Sequence, residues 1–182
     1  GDPTGRRLID VVRFGMPTSA PVAGDWRFKG VHPGIAATDK LLLWFGGMWN
    51  WLDSVSVIHA FAAIAPAHPV TKLLFVTKPP AAEEPAGEEY RQSLALAEST
   101  GLLDKRIFFS GPIPPDSRGS LLCEADIGLS YQKEHLETRF AYRTRIIDYI
   151  WAGLPMVVGQ GDELGDMAAA RGLGIAVPPG DT

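Results

Sequence analysis

"KLLLWFGG", residues 40–47, is a continuous apolar run stopped by two glycines. It shows no polar alternation, so it reads as a strand covered on both faces rather than one with a wet side. Shorter runs of the same kind recur downstream: "KLLFVT" (72–77), "RIFFSG" (106–111), "DIGLSY" (126–131), "PMVVG" (155–159) and "LGIAVP" (173–178). Between them lie segments with helical signals. In 52–65, Val55, Ile58, Ala62 and Ala65 fall near helical spacing, and Asp53 or Ser54 can cap the start. In 87–100 acids occupy the first turn and Gly101 follows the end. Further helices are expected at 116–125, within 141–152 and near 163–171. Strands that are uniformly apolar and alternate with helices predict an α/β fold, a doubly wound parallel sheet with right-handed crossovers. Ligands in such sheets sit at the carboxyl ends of the strands.

Upstream of residue 40 the pattern is weaker. "LIDVVRFG" (8–15) reads as a strand or connector, and 16–39, rich in Pro, Gly and Ala, as a long loop. The chain therefore divides into a connector with a leading strand and loop (1–39) and a ligand-binding domain (40–182). "KPPAAEEPAGEE" (78–89) reads as a solvated surface loop, and no internal repeat is present.

The composition excludes several classes. At 46% hydrophobic with mean hydropathy +0.03, the 182 residues hold enough apolar material for a core. A net charge of -4 argues against a nucleic-acid binder, which needs a broad basic face. The single cysteine, Cys123, removes internal disulfides and suits a reducing compartment. No stretch reaches the roughly 20 apolar residues of a membrane span, and the start lacks a signal-peptide core. A cytoplasmic location is expected. Peripheral membrane contact, which needs only a patch, stays open for a full-length protein.

Against that acidic balance, "ETRFAYRTRIIDYIWAGLP" (137–155) gathers Arg139, Arg143 and Arg145 around the start of a helix. Cations there oppose the helix dipole at about 0.3–1 kcal/mol each. A bound diphosphate reverses the sign, since arginine forks and helix N–H groups then converge on one anion. The alternative is that Glu137 and Asp148 pair with the arginines as surface salt bridges. Asp148, about one turn into the helix, can accept two ribose hydroxyls or remain a helix-surface acid. Glu137 either accepts from sugar hydroxyls or orients Arg139. "FGGMWNWLD" (45–53) brings Gly46, Gly47 and Asn50 to a strand's carboxyl end, ahead of a helix N-terminus that favours an anion. The alternative there is a tight turn with Trp49 and Trp51 over it. The loop is not the G-x-G-x-x-G fingerprint, which speaks against a nicotinamide or flavin enzyme. Lys78, after the strand 72–77, points into the ligand crevice or is solvated. Thr144, between two arginines, and Ile113 complete the candidate substrate-binding set. His59, His68 and His135 are assigned no chemistry, and no metal-ligand cluster or nucleophile elbow is present.

These stretches, with "ADIGLS" and "DYIWAGLPMVV" as the most specific pieces, make the chain resemble the donor-binding half of GT-B glycosyltransferases of the group 1, retaining type. The similarity runs from about residue 8 to 181. The family typically reads A-D-V…P-S and E-A-M-A-x-G-x-P-V-V at those places. The resemblance implies a Rossmann-like fold, one half of a GT-B architecture, and transfer of a sugar from a nucleotide diphosphate sugar to an acceptor hydroxyl. The nucleotide sugar is substrate, and neither a cofactor nor a metal is implied. In the family's E-x7-E pattern the second glutamate holds the ribose. Asp148 stands there by the Gly-Leu-Pro register, and the first place falls on Phe140 with Glu137 three residues earlier. The family's phosphate loop matches Gly46 and Gly47. Its following arginine and lysine are replaced by Met48 and by Leu52 or Asp53, so Lys78, Arg143 and Arg145 stand in for them. Glu137, Arg143 and Arg145 are then the catalytic candidates, with Arg139 among the substrate contacts. The base is expected on Ile107 and the loop 111–114. The chain is expected to be a donor domain cut from a longer protein whose amino-terminal half binds the acceptor, and to be inactive alone. A nucleotide-sugar 2-epimerase of the same architecture and a non-catalytic sugar-nucleotide-binding domain are the alternatives.

Overall fold

The computed structural model describes residues 14–81, 84 and 87–180. Six parallel strands form one sheet: β1 (Lys40–Phe45), β2 (Thr71–Val76), β3 (Ile107–Ser110), β4 (Ile127–Ser130), β5 (Met156–Gly159) and β6 (Gly174–Val177). Five helices connect them: α1 (Ser54–Ile64), α2 (Glu88–Ser99), α3 (Arg118–Glu124), α4 (Thr144–Ala152) and α5 (Glu163–Ala170). Every element expected from residue 40 onward is present. The turn of 3-10 helix at Leu136–Phe140 was not foreseen. The strand or connector expected at 8–15 falls mostly outside the described residues.

The strand order is β3-β2-β1-β4-β5-β6. The chain builds outward from β1 to one edge, then returns to the centre and builds to the other, so the order reverses between β1 and β4. Neighbouring strands part there, and a crevice opens at their carboxyl ends. Alternate residues feed two cores. Leu41, Leu43, Leu74 and Val76 face α3, α4 and α5 with Ile146 and Tyr149. Trp44, Leu73 and Phe75 face α1 and α2 with Ile58, Phe61 and Ala97.

The parting of β1 and β4 is held open by Tyr149 of α4. The two strands pair only at Leu42–Ile127 and Leu43–Gly128. Beyond that, the buried Tyr149 hydroxyl accepts from Phe45 N (3.2 Å) and lies 3.1 and 3.0 Å from the carbonyls of Leu43 and Leu129, to either of which it can donate. Its ring lies over Gly128, where an added Cβ would come within 2.6 Å of it.

Residues 16–39 contain no helix or strand, as expected, but they are fastened to the domain. Phe28 and Ile35 enter the core, Glu124 accepts from Phe28 N and Lys29 N, and Lys29 pairs with Asp126 at 2.6 Å.

Candidate functional site

Two adjoining depressions meet at the loop after β1, beside the β1/β4 parting. They share Phe45, Gly46, Gly47, Trp49 and Asp148. The larger, about 780 Å³, extends over the loops after β2 and β3 and includes Lys78, Tyr90, Ile113 and Arg118. The smaller, about 320 Å³, extends over the loop after β4 and includes Trp51, Glu137, Arg143, Thr144 and Arg145. The larger alone has the size of a small-molecule site.

The starts of α1 and α4 differ in one respect. At α1, the first N–H groups already have anions. The buried Glu89 carboxylate accepts from Ser54 N (2.7 Å) and Val55 N (3.1 Å), and Asp53 accepts from Ser56 N (3.0 Å). Lys133 neutralises Glu89 at 2.6 Å. The expectation that this helix start receives a ligand anion is therefore corrected: the protein's own carboxylate holds the place. At α4, Arg143 occupies the cap position with no side-chain cap, and the first turn contains no acid. Among the described residues no carboxylate accepts from its first N–H groups as Glu89 does at α1, and the side chains that flank it are cations.

The two arginines are held differently. Arg145 donates from Nη2 to Gly47 O at 2.7 Å and lies over the Trp44 ring, 4.2 Å from its centroid. Its Nη1 is buried without a hydrogen-bond partner. Burial pulls its guanidinium down to about 10, Tyr149 opposing and Arg143 adding, so it stays charged at neutral pH. Arg143 presents its fork to Glu137, at 3.3 and 2.8 Å, and its Nε lies 3.7 Å from Asp162. The foreseen alternative of an ion pair thus holds for Glu137 and Arg143.

Asp148 faces both depressions and pairs with Arg118 of α3 at 3.3 Å, not with the α4 arginines. Burial raises its pKa, with Arg118 opposing. Arg118 in turn lies 5.0 Å from the Trp151 ring centroid.

Gly46 adopts φ 108°, in the region that favours glycine, and donates to Val76 O at 2.9 Å. An added Cβ at Gly47 would come within 2.5 Å of the Trp49 indole nitrogen. Asn50 lines neither depression. Its side chain accepts from Glu89 N and its carbonyl from Lys133 Nζ, so it fastens the loop. Arg139 also lies apart, in a separate hollow with His135, Gln160 and Asp166. The expectation that Ile107 carries the base is corrected: it begins β3 at the end away from the crevice and is wholly buried. Arg118, Tyr142, Trp49 and Trp51 line the site without having been named as contacts. For Arg118 no sequence signal existed, because α3 reaches the crevice only through the fold.

Among the described residues no group of three or more His, Cys, Asp or Glu side chains is placed to hold a metal ion, and no helix is long and apolar enough to cross a membrane.

The chain matches no protein-family model, and no curated protein matches it in sequence. Solved structures do resemble it. WaaG, a glycosyltransferase involved in lipopolysaccharide biosynthesis, is 22% identical with a TM-score of 0.61, over 82% of this chain and 36% of that one. HepE from Anabaena, solved with UDP-glucose, is 18% identical with a TM-score of 0.59, over 80% and 36%. The carboxyl-terminal domain of LpcC, a group 1 glycosyltransferase from Francisella tularensis, is 14% identical with a TM-score of 0.63, over 78% and 69%. The chain thus spans about a third of the length of the first two. It has the Rossmann-like fold of these glycosyltransferases, one half of the GT-B architecture.

Proposed function

We propose that this chain is the donor-binding domain of a glycosyltransferase that moves a sugar from a nucleotide diphosphate sugar to an acceptor hydroxyl. One observation carries the reading. The α4 N-terminus, with no capping side chain and no acid in its first turn, is flanked by Arg143 and Arg145 and faces Gly46 and Gly47 at the switch point, while the α1 N-terminus is already filled by Glu89. An anion between α4 and the glycine loop meets helix N–H groups, a fixed guanidinium and a loop backbone that approaches closely. The diphosphate is seated there. Asp148 accepts from the ribose, and the base extends into the larger depression toward Ile113 and Lys78.

In the transfer step charge grows on the departing diphosphate. Cations and helix dipoles already in place stabilise that charge more than the ground state and need no reorganisation. Arg145 supplies this directly. Arg143 does so while its fork is shared with Glu137, whose carboxylate is also the acceptor for sugar hydroxyls. The acceptor enters from an amino-terminal domain of a longer protein. That domain closes the cleft, the reaction is retaining, and this chain alone is inactive. The full-length enzyme works in the cytoplasm, in peripheral contact with a membrane where its acceptor is lipid-linked. The Arg143–Glu137 pair favours one second reading, a non-catalytic sugar-nucleotide-binding domain, because it occupies a fork that catalysis would use.

Calorimetric titration of this chain with UDP, GDP and ADP and the matched nucleotide sugars tests the proposal. Binding of at least one diphosphate, weakened about tenfold or more by Arg145→Ala, is expected. Absence of binding by every diphosphate up to millimolar concentration overturns it.

A further inference from the structure

Trp49 and Trp51 stack with ring centroids 5.7 Å apart and planes 13° from parallel, yet they remain 44% and 36% exposed. Large rings left in water forgo burial that the fold offers elsewhere. Their backbone, by contrast, is fixed. Leu52 N donates to Trp49 O at 2.8 Å, Lys133 N to Trp51 O at 3.1 Å and Asp53 N to Tyr131 O at 3.1 Å, so the loop after β1 is tied to the loop after β4. The Trp49 indole rests on the bare backbone of Gly47. An exposed aromatic pair on so constrained a loop is built to receive something flat or apolar.

Its place beside the diphosphate seat says which part of a ligand it meets. Lys78, Tyr90 and Ile113 line only the larger depression. Trp51, Glu137 and Tyr142 line only the smaller. Gly46, Gly47 and Asp148 line both. With the base in the larger space, the group on the far side of the phosphates occupies the smaller. There it finds indole faces, whose negative π-cloud suits the C–H face of a pyranose, and a carboxylate suited to hydroxyls.

We propose that Trp49 and Trp51 form the platform for the donor's saccharide ring. The inference rests on the donor-binding reading above and adds the direction in which the donor lies.

Titration of this chain by indole fluorescence with UDP and UDP-glucose, GDP and GDP-mannose, and ADP and ADP-glucose tests it. For the nucleotide that binds, the sugar form binds about fivefold tighter than the bare diphosphate, and Trp51→Ala brings that ratio to near one. Trp51→Phe, which keeps an aromatic face, retains most of it. The indole N–H resonance of Trp51 in the unaltered chain shifts further with the sugar form than with the bare diphosphate, a readout independent of whether the variants fold. A wild-type ratio near one, or an unchanged ratio in Trp51→Ala, overturns the platform and leaves the donor-binding reading intact. Failure of every diphosphate to bind overturns both.

Discussion

Arg145 and Gly47, 98 residues apart in sequence, are joined by a 2.7 Å hydrogen bond from the guanidinium to the backbone carbonyl. It ties the start of α4 to the glycine loop after β1, so the same side chain shapes the loop and charges the site. Arg145→Ala should therefore act twice. Losing a hydrogen bond from a charged donor costs about 1.5–3 kcal/mol of stability. Removing the fork should weaken diphosphate binding by roughly tenfold or more. Arg145→Lys keeps the charge without the fork and should recover the salt dependence of binding but not the affinity. Thermal unfolding and calorimetry at two ionic strengths separate the two effects. Equal diphosphate affinity in all three proteins contradicts the argument.

Asp148 is poised by opposing influences. Burial raises its pKa and Arg118, 3.3 Å away, lowers it. Arg118→Ala should raise it further, which a carboxyl-carbon NMR titration reads directly. The ionised form is the better acceptor for ribose hydroxyls, so nucleotide affinity should fall as pH drops through the raised value. The stability attributable to this group has the opposite sense. It is present below the ordinary carboxylate range and is lost as pH rises through the folded value. Asp148→Asn should remove the pH dependence of nucleotide affinity. A profile that persists in that variant assigns the titration elsewhere.

The strands were legible because a parallel sheet covered on both faces leaves continuous apolar runs such as 40–45 and 72–76, here too short for helices and bounded by glycine or proline. Arg143 and Arg145 stood out because cations at a helix start oppose its dipole. What stayed hidden depends on three-dimensional neighbours. Glu89 read as an ordinary first-turn acid of its own helix. That it also serves the first N–H groups of α1 follows only from the packing of α1 on α2. Ile107 read as a site residue because its strand was right, but it begins that strand, and the crevice lies at the other end. Asn50 and Arg139 neighbour the site in sequence, whereas backbone direction carries both away from it.

Glu89 offers a test of the claim that α1 supplies its own anion. The carboxylate is almost fully buried and serves Ser54 N, Val55 N, the Ser54 hydroxyl and Lys133 together. Glu89→Ala strands two helix N–H groups and should cost about 2–4 kcal/mol. Glu89→Gln keeps an acceptor without the charge and should cost less. Denaturant unfolding measures both. Should a vacated α1 start instead prove neutral to stability, Glu89 is not the anion that fills it.

Tyr149 and Gly128 make the last pair on which the site's shape depends. The hydroxyl substitutes for ladder bonds where β1 and β4 part, and the ring fits only because residue 128 has no side chain. Tyr149→Phe keeps the ring but strands Phe45 N, at a cost of about 1–3 kcal/mol. Gly128→Ala forces the ring away and should cost as much or more, with a loss of nucleotide affinity because Arg145 and Asp148 share the displaced helix. Burial, with Arg145 opposing, pushes the phenol up to about 12 from the ordinary 10. The folded state then holds its proton after the unfolded chain has released it. Stability from this group is whole below pH 10 and falls between about pH 10 and 12, by roughly 2–3 kcal/mol in all. Unfolding free energies measured across that window should show the decline in the wild type. It should be flatter in Tyr149→Phe, and identical slopes would show that the buried phenol is not its source.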